Sequence, residues 1–359
     1  MRYRRTALAA LGYELAPNVV SSAALEARLA PVYQSLKMKP GQIEALTGIR
    51  ERRFWDPGFT MAEGALKAAR HALEAASVPA SALGALIYAG VCRDGFEPAT
   101  ACAVAEGLGV SGAATVLDLS NACIGVLNGC LMVANMIELG QIRAGLVVSC
   151  ESAREITEAT IERMLASGTM ECFKLSLATL TGGSGAVAML LVDAESGLGG
   201  ERHRLAGGVL RAAPEHHRLC YWGPEKAPGH PLAANAATPN PGNQIIMETD
   251  AAEVMKNGVA LGNQTWGDFL RELEWSAGDV SKVICHQVGG GHRGAMLASL
   301  GLTSDQDYCT YEYFGNSGTV ALPLTAAIAA ERGFLETGDR VAFLGIGSGL
   351  NCLMLGWEW

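Results

Sequence analysis

The 359-residue sequence predicts a layered α/β fold. Two features carry that expectation. Short apolar runs alternate with helical patterns along the chain, as expected for strands buried on both faces of a sheet. A glycine-rich turn that runs into an apolar strand also occurs twice, once in each half. Gly182-Gly183-Ser184-Gly185 leads into one such strand, and Gly345-Ile346-Gly347-Ser348-Gly349 into another. The repetition points to a duplicated unit, with halves at residues 1–195 and 196–359.

The apolar runs at residues 84–91, 144–150, 185–192, 282–287, 340–346 and 351–357 are read as strands. Residues 60–77 form a helix. Thr60 and Glu63 make a capping-box pattern, and Leu66, Ala69, Leu73 and Ala76 recur at helical spacing. Residues 124–139, which follow a strand at 115–119, make a second helix. Val126, Leu127, Cys130, Leu131, Val133, Met136 and Ile137 wrap around it, so it belongs inside the protein. Residues 211–244 are rich in Pro, His and Asn and lack periodicity. They read as a long functional loop or lid at the start of the second half.

Composition narrows the function. With 49% apolar and 18% charged residues the chain is compact and ordered. A net charge of −9 argues against a general nucleic-acid binder. The 10 cysteines include no CxxC pair and read as reduced thiols in a cytoplasmic protein. The basic start Met1-Arg2-Tyr3-Arg4-Arg5 is followed by a stretch containing Gly12 and Glu14, too broken for a signal peptide. No apolar run reaches the ~18 residues of a membrane span. His216-His217 with Cys220 is the nearest approach to a zinc site, but its spacing is not that of a ligand set, so no metal is expected.

Three residues have chemical potential. Cys123, in Ser120-Asn121-Ala122-Cys123, sits between a strand and the buried helix. There the positive end of the helix dipole favours a thiolate, and the Cys123 N–H can face a substrate oxygen. The alternative at this place is a small core thiol, which position alone makes the lesser reading. His286 ends a strand, in Val283-Ile284-Cys285-His286-Gln287, and Asn316 lies in Gly315-Asn316-Ser317-Gly318. Taken alone, a packed histidine and a turn asparagine explain these two.

In this order, the motifs resemble the thiolase superfamily, and within it the ketoacyl synthase III branch. Thr47-Gly48-Ile49-Arg50-Glu51-Arg52-Arg53 is similar to its N-terminal signature, Asn121-Ala122-Cys123 to its nucleophile and His286-Gln287 to its histidine. The Asn316 and Gly345–Gly349 turns resemble its last two motifs. The resemblance implies a five-layered αβαβα sandwich and a homodimer. It implies Cys123 as nucleophile, His286 and Asn316 as stabilisers of an enolate, and the N–H groups of Cys123 and Ser348 as oxyanion donors. It implies no permanently bound cofactor, with coenzyme A thioesters entering as substrates. Arg50, Arg52 and Arg53 either meet coenzyme A phosphates or form a solvated basic run.

Two departures select a branch. The aromatic that initiation-type synthases place before the Thr-Gly pair is Gln42 here, with Trp55 nearby. In Cys92-Arg93-Asp94-Gly95-Phe96-Glu97-Pro98 the residue before the proline is Glu97, where those synthases carry an aromatic. Glu97 resembles the base of OleA-type acyl-CoA thiolases, which join two fatty acyl-CoAs head to head at the start of long-chain olefin biosynthesis. Its loop would cross to the partner's site. A plain acyl-CoA must lose an α-proton, whereas a malonyl donor makes its carbanion by losing carbon dioxide, so only the former needs a carboxylate base. Pathway enzymes acting on the product are possible further partners. The rival readings are a decarboxylative synthase using malonyl thioester, an acyltransferase of secondary metabolism, and a non-catalytic partner subunit.

Overall fold

The computed structural model describes residues 1–224 and 245–359. Nine strands form one sheet. Their order is Lys282–Cys285, Arg340–Gly347, Asn351–Glu358, His203–Ala212, Thr6–Leu15, Gly185–Asp193, Ala144–Glu151, Ala85–Ala89 and Thr115–Leu119. Pairing is parallel at the two ends and antiparallel through the middle. Thr6–Leu15 pairs along its length with Gly185–Asp193 and touches His203–Ala212 at Ala7 and Leu8. It thus joins strands from the earlier and later parts of the chain.

Side-chain alternation along these strands builds the layers. Ile87, Val147, Val187 and Met189 face the buried helix Gly125–Glu138, and Ile284, Phe343, Leu353 and Leu355 from the other end of the sheet join the same core. The helix Ala321–Glu331 lies in the same middle layer. On the outside, Leu86, Tyr88, Leu146 and Leu190 pack against Met61–Ala76. At the other end Val283, Cys285, Ala342 and Met354 pack against Ala251–Leu273 and Gly290–Leu300. The layers therefore run α, β, α, β, α.

The helix expected at 60–77 spans Met61–Ala76, with Thr60 and Glu63 closing a reciprocal capping box. Ala69, Leu73 and Ala76 are buried as expected, and Leu66 is half-buried. In Gly125–Glu138, Val126, Leu127, Cys130, Leu131, Val133 and Ile137 are all buried. Burying each such large aliphatic side chain contributes about 1.5–3 kcal/mol relative to exposure. Residues 211–224 depart from the expected loop: they hold the end of His203–Ala212, a short turn of helix and the strand Cys220–Pro224, which pairs with Ile245–Thr249. Residues 225–244 lie outside the described residues. Among the described residues, no helix is long and apolar enough to cross a membrane.

Candidate active site

Three turns meet at the N-terminal end of the buried helix. The first carries Cys123. Ala122 adopts φ 45°, a left-handed conformation that costs a non-glycine residue about 1–3 kcal/mol and persists where its surroundings over-determine it. Here the Ile124 N–H donates to the Asn121 carbonyl at 3.1 Å and the Gly125 N–H to the Ala122 carbonyl at 3.2 Å. The Asn121 side-chain amide donates to Asn128 Oδ1 at 2.6 Å.

The second turn contains Ser348. A methyl group at Gly347 would lie 3.3 Å from the Cys123 nitrogen and 3.4 Å from Ile124 Cγ1, so the missing side chain lets this turn rest on the nucleophile's backbone. Asn351 Nδ2 donates to Asn121 Oδ1 at 3.2 Å and to the Ser348 carbonyl at 3.4 Å, tying the two turns together.

The third turn holds Asn316. Its N–H donates to the Thr181 carbonyl at 2.9 Å, and its carbonyl accepts from the Gly183 N–H at 2.9 Å. A Cβ at Gly183 would stand 1.9 Å from the Phe314 oxygen, so only glycine permits this approach. Asn316 Oδ1 accepts from the Gly318 N–H at 3.1 Å. With its oxygen engaged, the amide has its NH2 group to offer a substrate. Thr319 Oγ1 accepts from the Val126 N–H at 2.8 Å. That satisfies one donor of the helix's first turn and fixes this turn to the helix behind Cys123.

Together the turns line a cavity of about 270 Å³. Cys123, Asn316 and Ser348 lie on its wall, with Ile156, Trp222 and Met247 supplying apolar surface. Cys220 and Glu151 line it too. Burial pushes the Cys123 thiol up to about 12, with Cys220 and Glu151 adding to the shift and a hydrogen bond from its own backbone opposing it. This differs from the thiolate-favouring position expected from sequence. The helix begins at Gly125, with Ile124 as its N-cap, so Cys123 stands outside the first turn, half-buried on the cavity wall.

His286 is not among the residues that line this cavity. It continues the Lys282–Cys285 strand, its N–H donating to the Leu344 carbonyl at 2.9 Å. It lines a smaller cavity with His292 and the Leu344–Ile346 backbone. Burial, and secondarily His292, pushes the imidazole down to about 3, so it is neutral at physiological pH. Its Nδ1 has no hydrogen-bond partner among the described residues. Gln287 is a bracket: its oxygen accepts from the Thr310 and Tyr311 N–H groups and its nitrogen donates to the Tyr308 carbonyl.

Glu97 does not line the Cys123 cavity of its own chain. It sits on an exposed loop beside Phe96, which is as open as a free side chain at 104% relative exposure. The three arginines part company: Arg52 and Arg53 are neighbours on the strand Glu51–Phe54 and point to opposite faces, and Arg50 precedes the strand. Arg50 is exposed, with loose ion pairs to Glu44 at 3.7 Å and Glu312 at 3.8 Å. Arg52 corrects the expectation of a coenzyme A contact. It is fully buried and donates to Ser22 Oγ and the Leu180 carbonyl, so it braces the fold and cannot reach a ligand in solvent. Arg53 donates to the Ala16 carbonyl and lies over the Phe314 ring. Trp55 is buried too, stacked on Phe59 and donating to the Glu151 carbonyl at 3.0 Å. Cys220 Sγ lies 3.4 Å from Thr249 Oγ1, and His217 Nδ1 lies 3.0 Å from the Pro214 carbonyl. No group of three potential ligands is placed to hold a metal among the described residues.

Residues 270–359 match the C-terminal domain of 3-oxoacyl-[acyl-carrier-protein] synthase III. Over its full length the chain is 51% identical to the whole of an acyl-CoA:acyl-CoA alkyltransferase from Shewanella oneidensis. It is 34% identical, again over both full lengths, to one from Xanthomonas campestris. The chain belongs to the OleA family of acyl-CoA:acyl-CoA alkyltransferases. The cerulenin-bound Xanthomonas OleA superimposes with a TM-score of 0.91 at 34% identity, covering 100% of this chain and 98% of that one. The αβαβα thiolase fold expected from sequence is therefore the fold observed. A β-ketoacyl-[acyl-carrier-protein] synthase III from Desulfitobacterium hafniense is more distant, at 30% identity over 86% of each chain. OleA structures include one with bound lauric acid and lauroyl-CoA, and forms with a cysteine, a glutamate or a histidine replaced.

Sequence reasoning passed over Glu151, Trp222 and Met247. Glu151 had a signal, since an acidic residue directly follows the apolar run 144–150. The other two lie on paired strands within or just beyond the segment read as a loop.

Proposed function

We propose that this enzyme joins two fatty acyl-CoAs by a non-decarboxylative Claisen condensation through an S-acyl Cys123 intermediate. The observation that carries the reading is the cavity where Cys123, Asn316 and the Ser348 turn meet against an apolar wall. The full-length likeness to acyl-CoA:acyl-CoA alkyltransferases and the lauroyl-CoA complex of a related OleA support it. They favour it over the decarboxylative synthase, whose representative is the more distant relative.

In the first stage Cys123 sulfur bonds to the thioester carbon of one acyl-CoA. The C–S bond to coenzyme A breaks, and coenzyme A leaves as the thiol with the Cys123 proton. The N–H groups of Cys123 and Ser348 hold the transient oxyanion. In the second stage Glu97 of the partner subunit removes the α-proton of another acyl-CoA. His286 and Asn316 donate hydrogen bonds to the resulting enolate oxygen. A neutral imidazole suits this task because it donates without giving up its proton. The α-carbon bonds to the acyl carbonyl carbon and the bond to Cys123 breaks. The thiolate regains a proton from the Glu97 carboxyl, leaving a 2-alkyl-3-ketoacyl thioester. Hydrolysis to the ketoacid would make this the first step of long-chain olefin formation.

The active form on this reading is a cytoplasmic homodimer. The exposed Phe96-Glu97 loop supports an insertion into the partner. No resident cofactor takes part, coenzyme A entering only as thioester, and Arg50 is the arginine free to meet its phosphates. Long-chain acyl-CoA given to E97A tests the base. Mass spectrometry should find acylated Cys123 and no condensed product, and normal product would remove Glu97 from this role.

A further inference from the structure

We propose that Glu151 is a positioning residue for condensation, fixing the root of the loop that carries Glu97 to the partner's site. This rests on Glu97 being the base. Glu151 is 3% exposed, and a buried carboxylate is costly unless hydrogen bonds satisfy it. Its Oε1 accepts from the Val91 N–H at 2.8 Å and its Oε2 from the Cys92 N–H at 3.0 Å. These are the last two residues before the exposed run that begins at Arg93.

The loop has two further anchors. The Asp94 carboxylate accepts from the Met61 and Ala62 N–H groups at 2.6 and 2.9 Å, at the positive end of the Met61–Ala76 helix. The Asp118 carboxylate accepts from the Thr100 and Ala101 N–H groups, each at 2.9 Å, where the loop re-enters the Thr100–Leu108 helix. Three carboxylates thus hold both roots of a loop whose tip, Phe96-Glu97, touches little of its own chain. Such anchoring makes sense for a tip that must present a base at a fixed place in another subunit.

Of the three, Glu151 alone lines the cavity of Cys123. It also lies beside the Asn316 turn, since a Cβ at Gly318 would stand 3.6 Å from its Cδ. Its own backbone is held in the sheet opposite Gly185, and its carbonyl accepts the Trp55 indole N–H. One side chain therefore lies where three things meet: the pocket wall, the Asn316 turn and the root of the loop lent to the partner. Both oxygens are spent on backbone donors, which is the arrangement of a brace and not of a proton shuttle.

The test uses the full-length dimer and three variants. In E151A both N–H groups lose their acceptor. Condensation should fall about 10²-fold, the scale of a misplacement of about 1 Å at a reacting group. Single-turnover acylation of Cys123, which does not use the partner's base, should fall far less than condensation. Amide exchange at Val91 and Cys92 should speed up at least about tenfold as their protection is lost. E151Q keeps one acceptor, so its condensation should fall about tenfold. It is nearly isosteric and carries the test if E151A does not fold. A loss of acylation in step with condensation would overturn the proposal, as would normal condensation in E151A. E97A separates the two readings. If E97A condenses normally, the base assignment fails; if E97A is inactive while E151A is normal, only the Glu151 proposal fails.

Discussion

Replacing Asn316 with Asp changes one group, the amide NH2, and leaves nearly everything else in place. The structure sets the size of the effect. Asn316 Oδ1 accepts from the Gly318 N–H at 3.1 Å, and an Asp carboxylate keeps that bond. The substrate-facing NH2 becomes an oxygen. Loss of one oxyanion-type donor costs about 10²–10³-fold, roughly 2.7–4 kcal/mol. The new negative charge then repels the enolate, by up to about 4 kcal/mol at 4 Å in a partly screened site. Condensation by N316D should therefore fall by about 10³-fold or more, while formation of acyl-Cys123, which involves no enolate, falls far less. N316A loses the donor without gaining a charge and should retain about tenfold more condensation than N316D. It also strands the Gly318 N–H, so it should be less stable than N316D by about 1 kcal/mol. The two variants thus rank in opposite orders for rate and for stability. The assays are single-turnover condensation of acylated enzyme, intact-mass measurement of acylation, and thermal melting. If N316D condenses as fast as N316A, the amide NH2 does not face the enolate and the reasoning fails.

Two further predictions concern charge. With the Cys123 thiol pushed up to about 12, its thiolate fraction lies far below one at neutral pH and grows tenfold per pH unit, so alkylation of the unliganded enzyme should rise about tenfold per unit from pH 7 to 10 without levelling; a plateau near pH 8.5 would reveal an ordinary thiol. Arg52→Ala should destabilise the fold by about 3 kcal/mol through lost packing and stranded acceptors and leave KM for acyl-CoA unchanged in whatever enzyme remains folded. Arg50→Ala should raise KM about three- to tenfold at unchanged melting temperature, the worth of one exposed charge contact. The reverse pattern would return Arg52 to the coenzyme A site.

What was legible in the sequence follows from what each residue's role depends on. The Met61–Ala76 helix was readable because Thr60 and Glu63 act locally and its alanines repeat at a fixed period. The buried Gly125–Glu138 helix announced itself by being apolar nearly all round. Cys123, Asn316 and Ser348 were found through motif order, and they share a cavity. Arg52 was misread because Arg50, Arg52 and Arg53 look like one basic run until strand pairing turns Arg52 inward. The dipole argument for the thiol needs only the helix boundary, whereas the burial that pushes it up is set by the tertiary fold, and Cys220 and Glu151, which add to the shift, are distant in sequence. The partners of Glu151 lie 59 and 60 residues away, and no local pattern encodes them.

The electrostatic setting explains why a proton-abstracting condensation fits this pocket. The thiol is held up and the imidazole down, so in the resting enzyme both are neutral. Glu151 is the carboxyl group on the Cys123 cavity wall, and burial pushes it up against the opposing pull of its two N–H partners. The thiol and the imidazole thus bring no charge of their own, and the Glu151 carboxyl is engaged by its N–H partners. The strongest charges to arise during turnover are then those of the reaction: the oxyanion on the first acyl group and the enolate of the second. In a cavity with an apolar wall a fixed N–H donor interacts more strongly with such a charge than it would in water. The donors are fixed before substrate arrives, through the Asn351–Asn121 link, the Gly347 contact and the Gly318–Asn316 bond. A resident thiolate would instead accept from those donors and weaken their hold on the transition state. The neutral resting site and the rigid donors are therefore one device. The base is kept on a separate loop, because a carboxylate lodged permanently beside Cys123 without partners of its own would raise the thiol further and compete for the same N–H groups.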